Sequence, residues 1–208
     1  MTSRALRVGV ALALGIALFV APRAWAGVPT DQLRGQIDLV IKTVEDPGLR
    51  SKAPERRTAI RKIANETFDF QEMARRALAR HWQPRTPAER EEFVRLFADL
   101  LERAYVSKIE NYCGEKIAYN GDTIDVESAM VKTKIITKQG TDIPVDYRML
   151  RRGERWLVYD VVIEGVSLIN NYRTQFNKII QTSSYQSLIE RMKNKQHELL
   201  EDDKSKKS

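Results

Sequence analysis

Residues able to do chemistry are few in this chain. It carries two histidines, His81 beside Trp82 and His197 near the C-terminus, and one cysteine, Cys113. There is no H-E-x-x-H pattern, no cysteine pair and no His cluster, so no metal and no cofactor is implied. A G-x-S-x-G elbow and a Gly-rich phosphate loop are missing too. Cys113 has no histidine partner in sight, and a thiol alone is a weak nucleophile; burial beside Tyr112 is the expected state. A lone cysteine also makes no internal disulfide, so the fold must rest on its core. The carboxylates remain. Asp146, Asp160 and Glu164 lie on apolar, strand-like segments. Asp160, inside Trp156-Leu157-Val158-Tyr159-Asp160-Val161-Val162-Ile163, has two readings. It could act as a general base in an apolar pocket, or it could accept hydrogen bonds from a backbone N–H or from an arginine such as Arg148. No partner acid or oxyanion donor is evident, which favours the structural role and argues against an enzyme.

The elements that must hold these side chains follow two periodicities. Residues 30–112 read as helix after helix, 115–164 as strands, and 166–196 as helix again. Pro29-Thr30 opens the first helix, with Leu33, Ile37, Val40, Ile41 and Val44 along one face, and Asp46-Pro47-Gly48 stops it. A second helix begins near Pro54. Asp69 with Glu72 looks like a capping box before Met73, Ala74, Ala77 and Leu78. Thr86-Pro87-Ala88-Glu89 is the clearest helix start. Phe93, Leu96, Phe97, Leu100, Leu101, Ala104, Tyr105 and Ile109 then trace a wide apolar stripe up to Cys113-Gly114.

In the strand region Gly121-Asp122, Gln139-Gly140 and Arg152-Gly153 are turn signals, and runs this close must be antiparallel. Pro144 suggests an edge or a bulge. Arg155–Ile163 is apolar on both faces, which suggests a central, covered strand. The expectation is an α+β fold of N-terminal helices, an antiparallel sheet of about four strands, and C-terminal helices. Periodicity does not distinguish a filled core from a lined cavity.

The ends differ from the middle. Arg4 and Arg7 precede the apolar run Val8–Val20, which Ala24-Trp25-Ala26 follows as an A-x-A cleavage pattern. The run is too short to span a bilayer and a cleavage pattern follows it directly, so residues 1–26 are expected to be a secretory signal peptide in preference to an uncleaved membrane anchor. Residues 27–196 would form one domain, and 197–208 a disordered charged tail. The chain carries a net charge of +7, or about +4 without the leader's arginines, which suits anionic surfaces. The basic residues are scattered, so no nucleic-acid partner is expected.

The segment Trp156-Leu157-Val158-Tyr159-Asp160-Val161-Val162-Ile163-Glu164-Gly165-Val166-Ser167-Leu168-Ile169-Asn170-Asn171-Tyr172-Arg173-Thr174-Gln175-Phe176 closely resembles the signature W-x-V-x-D-V-x-I-E-G-V-S-L-V-x-N-Y-R-x-Q-F of the MlaC, or toluene-tolerance, family. Phe68-Asp69-Phe70, Met73-Ala74, Ala77-Leu78, His81-Trp82, Glu92-Phe93, Phe97 and Val145-Asp146-Tyr147-Arg148-Met149 are similar to its other motifs. The resemblance spans about residues 31–192. It implies an NTF2-like cone whose curved sheet and helices enclose an apolar cavity, in a periplasmic phospholipid carrier that maintains outer-membrane lipid asymmetry. Implied partners are an inner-membrane ABC transporter with an MCE-domain subunit and an outer-membrane lipoprotein complex. A related branch implies hopanoids as the alternative cargo; an NTF2-like enzyme using Asp160 as base and a structural adaptor that docks membrane complexes without a ligand are the further readings. On this resemblance the lining would come from Phe70, Met73, Phe93, Phe97, Leu100, Leu101 and Tyr105 on the helices. The sheet and the turn after it would add Tyr147, Met149, Val161, Ile163, Val166 and Leu168. Arg148 and Arg173 are the head-group candidates, although Arg173 could instead fix the Glu164-to-Ser167 turn. A monomer is expected.

Overall fold

The computed structural model describes residues 28–110, 112 and 114–194. The expected leader and tail, together with Cys113 and His197, lie outside these residues. Helix α1 spans Pro29–Glu45, with proline in its first turn. Asp46 then turns the chain by accepting the Gly48 N–H at 2.8 Å. Helix α2 is Ala53–Thr67. Helix α3, Phe70–Leu78, starts where Asp69 accepts the Glu72 N–H at 2.9 Å. Only half of that capping box forms, because the Glu72 carboxylate turns to Arg75 and Arg76 instead, at 2.6 and 2.7 Å. A 3-10 turn, Ala79–His81, leads to α4, Pro87–Glu110. Here the box is complete: Thr86 Oγ1 accepts the Glu89 N–H, and Glu89 Oε2 accepts the Thr86 N–H at 2.7 Å. The helix ends at Glu110, ahead of Cys113-Gly114. Helix α5, Leu168–Thr182, is capped by Ser167, and residues 185–194 form α6.

Five strands make one antiparallel sheet in chain order: β1 Lys116–Asp125, β2 Ser128–Ile136, β3 Asp142–Arg152, β4 Arg155–Ile163 and the two-residue β5 Val166–Ser167. Gly121-Asp122 is not a turn. Asn120 and Gly121 together stand opposite Lys132, a bulge inside β1 that Gly121 accommodates at φ +91°. The turn comes later, at Val126 and Glu127. Pro144 marks neither an edge nor a bulge, since β3 pairs with strands on both sides. Its carbonyl accepts from Glu164 just past the end of β4. Backbone N and C=O of one strand residue point the same way, so the missing N–H faces that turn and removes no ladder bond.

A second bulge lies in β4. Arg148 pairs with Asp160 and Met149 with Val158, leaving Tyr159 as the extra residue. The alternation of β4 therefore changes phase at Tyr159. Trp156 and Val158 point to one face with Val161 and Ile163, whereas Asp160 and Val162 point to the other. This is why the segment reads as apolar on both sides.

The core is divided. One cluster is helical and joins α3, α4, α5 and α6 through Met73, Leu78, Phe93, Phe97, Phe176 and Leu188. The other lies between α1 and the sheet and contains Leu33, Ala129, Val131, Met149, Trp156 and Val158. Phe68 packs against both.

Candidate functional site

The register sets Tyr119 opposite Thr133 and Thr133 opposite Val145; it sets Val131 opposite Tyr147 and Tyr147 opposite Val161. Opposed residues share a face, so these side chains, with Met149 and Ile163, form one inner surface. Helix α1 covers part of it through Leu33 and Ile37. The half-buried Tyr147 and Val161 edge this cluster. Phe70, Leu100, Tyr105, Leu168 and Tyr172 edge the helical one, also half-buried. Half-buried apolar side chains at the borders of two separate cores mark a seam.

Tyr147 defines the seam's character. It lies so deep that burial pushes its phenol up to about 12, yet it keeps accessible surface. On the same face, burial also pushes the Tyr119 phenol up to about 12, with the Asp38 charge adding to it. Its buried hydroxyl has no hydrogen-bond partner. Burial raises the phenols of Tyr105 and Tyr172 as well. Ion pairs tie α2 to α4 here: Arg56 and Arg57 reach Glu110 at 3.2 and 3.3 Å, and Arg61 reaches Glu102 at 2.7 Å.

The expected lining residues divide four ways. Tyr147, Met149, Val161 and Ile163 come together on the inner face, and Phe70, Leu100, Tyr105 and Leu168 stand half-buried. Met73, Leu101, Phe93 and Phe97 are buried in the helical core. Phe93 and Phe97 have no exposed surface, because each other's ring, Phe176, Tyr172 and Tyr185 enclose them; they are core. Val166 is 63% exposed and covers no interior.

Arg148 and Arg173 line a different space. A cavity of about 610 Å³ lies among α3, β3, β4, β5 and the first turns of α5, and Arg76, Tyr159, Asp160, Asn170 and Asn171 share it. Arg173 does not hold the Glu164-to-Ser167 turn; its Nε donates to the Arg76 carbonyl at 3.1 Å. Asp160, 2% exposed, sits at this site fully engaged. Its Oδ2 accepts from Ser167 Oγ at 2.7 Å and Arg148 Nη1 at 3.1 Å, and its Oδ1 from the Ile169 N–H at 3.1 Å. It thereby stitches β3, β4, β5 and the start of α5 together. No group of three His, Cys, Asp or Glu able to hold a metal occurs among the described residues.

Asp122 escaped the sequence reading. Its Oδ2 accepts from Thr30 N at 3.1 Å and Thr30 Oγ1 at 2.6 Å, capping α1 from across the chain, where a carboxylate also meets the positive helix end. Nothing local to α1 signals it. Glu72 was legible in part: Arg75 and Arg76 follow at i+3 and i+4.

An antiparallel open sheet with an apolar inner face, set beside a separate helical core, places the protein among α+β folds with a divided interior. More narrowly, the chain belongs to the MlaC family, whose model, described as MlaC protein, matches residues 34–194. A relative from Haemophilus influenzae, the intermembrane phospholipid transport system binding protein MlaC, is 24% identical over 141 residues. That match spans 65% of this chain and 66% of the relative, just under two thirds of its length. A phospholipid-binding protein from Ralstonia solanacearum, solved in complex with a phospholipid, superposes with a TM-score of 0.75. It is 23% identical, over 83% of this chain and 99% of that one, so the likeness is one of fold.

Proposed function

We propose that the protein is a periplasmic carrier that shelters phospholipid acyl chains in the seam between its two cores and moves lipid between membranes. The observation that carries this reading is the apolar inner face of the sheet, on which Tyr147 and Val161 stand half-buried at the edge of their cluster and apart from the helical core. Membership of the MlaC family, and the phospholipid named with the Ralstonia protein, support the choice of cargo. Each buried CH₂ is worth about 0.8 kcal/mol. A two-chain lipid thus needs on the order of 20 kcal/mol of apolar shelter to leave a bilayer. A surface groove cannot supply that; a seam that parts two cores can. Tyr119 and Tyr147 add the hydrogen-bonding capacity of two phenols to one apolar wall. No helix among the described residues is long and apolar enough to cross a membrane, in keeping with a carrier that travels between the inner-membrane ABC transporter with its MCE-domain subunit and an outer-membrane lipoprotein complex. Asp160 has both oxygens occupied, which speaks against a base.

Native mass spectrometry of the purified protein, followed by lipid extraction, tests this. The expected result is a mass excess of one or two phospholipids. Protein that is bare as purified and stays bare after incubation with liposomes overturns the reading, and an extract of hopanoids replaces the cargo.

A further inference from the structure

The groove around Arg148 lies apart from the seam. Strand β3 pairs with β2 residue for residue along this stretch, so Arg148 points away from the face that Tyr147 and Met149 share. Asp160 and Ser167, its neighbours across the sheet, lie on that same outer side. A guest held against Tyr147 is separated from this groove by the sheet itself.

We propose that the groove docks an acidic segment of a partner protein. Three arginines line it; Asp160 pairs with Arg148 and Glu72 with Arg76, so Arg173, which meets only a backbone carbonyl, carries the surplus charge. Each guanidinium is held in place. Arg148 is fixed by Asp160, Arg173 by the Arg76 carbonyl at 3.1 Å, and Arg76 by Glu72 and by stacking 4.0 Å over the Tyr159 ring. Pre-ordered guanidinium forks lose little freedom on meeting a carboxylate. The positive character belongs to these side chains and not to the end of α5, whose Ile169 and Asn170 N–H groups are taken by Asp160 and Ser167. The groove runs from Arg76 past Arg148 to Arg173 and Thr174, so it offers a peptide contacts for its backbone as well as for its charge. Exposed Asn170 and Asn171 offer amides to that backbone, and Val166, 63% exposed, offers an apolar contact at the rim.

The test uses the purified full chain, ¹⁵N-labelled, titrated with hexaglutamate peptide and, in parallel, with inorganic phosphate and phosphatidylglycerol vesicles. The peptide is expected to shift amides over residues 165–174, with binding weakened by added salt. Arg173→Glu is expected to weaken it at least tenfold, and Arg173→Gln less, with thermal midpoint and co-purified lipid unchanged. Arg173 serves because it is exposed, whereas removing Arg148 would strand Asp160. Absent shifts, shifts elsewhere, or equal binding by both variants overturn the proposal. So do equal responses to phosphate or to vesicles, which would make the groove a free-phosphate or membrane site.

Discussion

Two carboxylates show how context decides a residue's task. Asp160 stands in the most apolar strand, and it is a junction: a serine, an arginine and a backbone N–H converge on it. Glu72, 7% exposed, is a hub of ion pairs. Hydrogen bonds from Arg75, with Arg76 adding to them, hold its carboxyl down at about 2 against an ordinary 4.5. A carboxyl depressed on folding stabilises the protein above its ordinary value, and that stabilisation is lost as pH falls through 4.5 towards 2. Because Arg75 is half exposed, the worth is about 1–2 kcal/mol. Urea unfolding of Glu72→Gln and the parent from pH 7 to pH 2 should show the parent ahead at neutral pH and the two converging in acid. A gap that stays constant with pH would assign Glu72 to packing alone.

At the scale of elements, backbone conformation outweighs available space. Gly35 in α1 and Gly121 in β1 both have room for a methyl group, with nothing within 4 Å of an added Cβ. Gly35 is helical, so Gly35→Ala should stabilise by about 0.5–1 kcal/mol. Gly121 sits at φ +91°, so Gly121→Ala should cost about 1–2 kcal/mol through backbone strain. Its bulge also sets Asp122 under the start of α1. Thermal melts of the two variants decide the matter: shifts of the same sign would mean that the bulge is not what Gly121 serves.

For the whole molecule, the division of the core is the central feature. The two clusters share Phe68, and the proposed carrier would take its guest where they border one another. Val161, half-buried at that border, is the place to test it. Val161→Trp should reduce co-purified lipid severalfold while costing no more than about 1–3 kcal/mol of stability. Lipid extraction and a melt on the same sample read both. Undiminished lipid with the tryptophan in place would move the cargo away from the inner face.

Much of the architecture was legible in one dimension. Helices α1, α3 and α4 announce themselves by proline, caps and 3.6-residue periodicity, all local effects within a few residues of the chain. Turns at Gly140 and Gly153 are equally local. The fully enclosed Phe93 and Phe97 read the same as the half-buried Leu100 and Tyr105, because a helical stripe records which side is apolar and not how closely the opposite wall approaches. A bulge shifts a strand's phase by one residue, so the outward turn of Asp160 and the inward turn of Val161 depended on Tyr159 lacking an opposite number in β3. The Asp122 cap on α1 and the arginine groove likewise join residues from distant segments. What the sequence by itself determined was the family and the order of helical and strand regions; what only the tertiary structure decided was where the strands turn and bulge, which apolar faces meet, which stand apart, and which charges gather between them, because contact across the fold is set by register and packing and not by spacing along the chain.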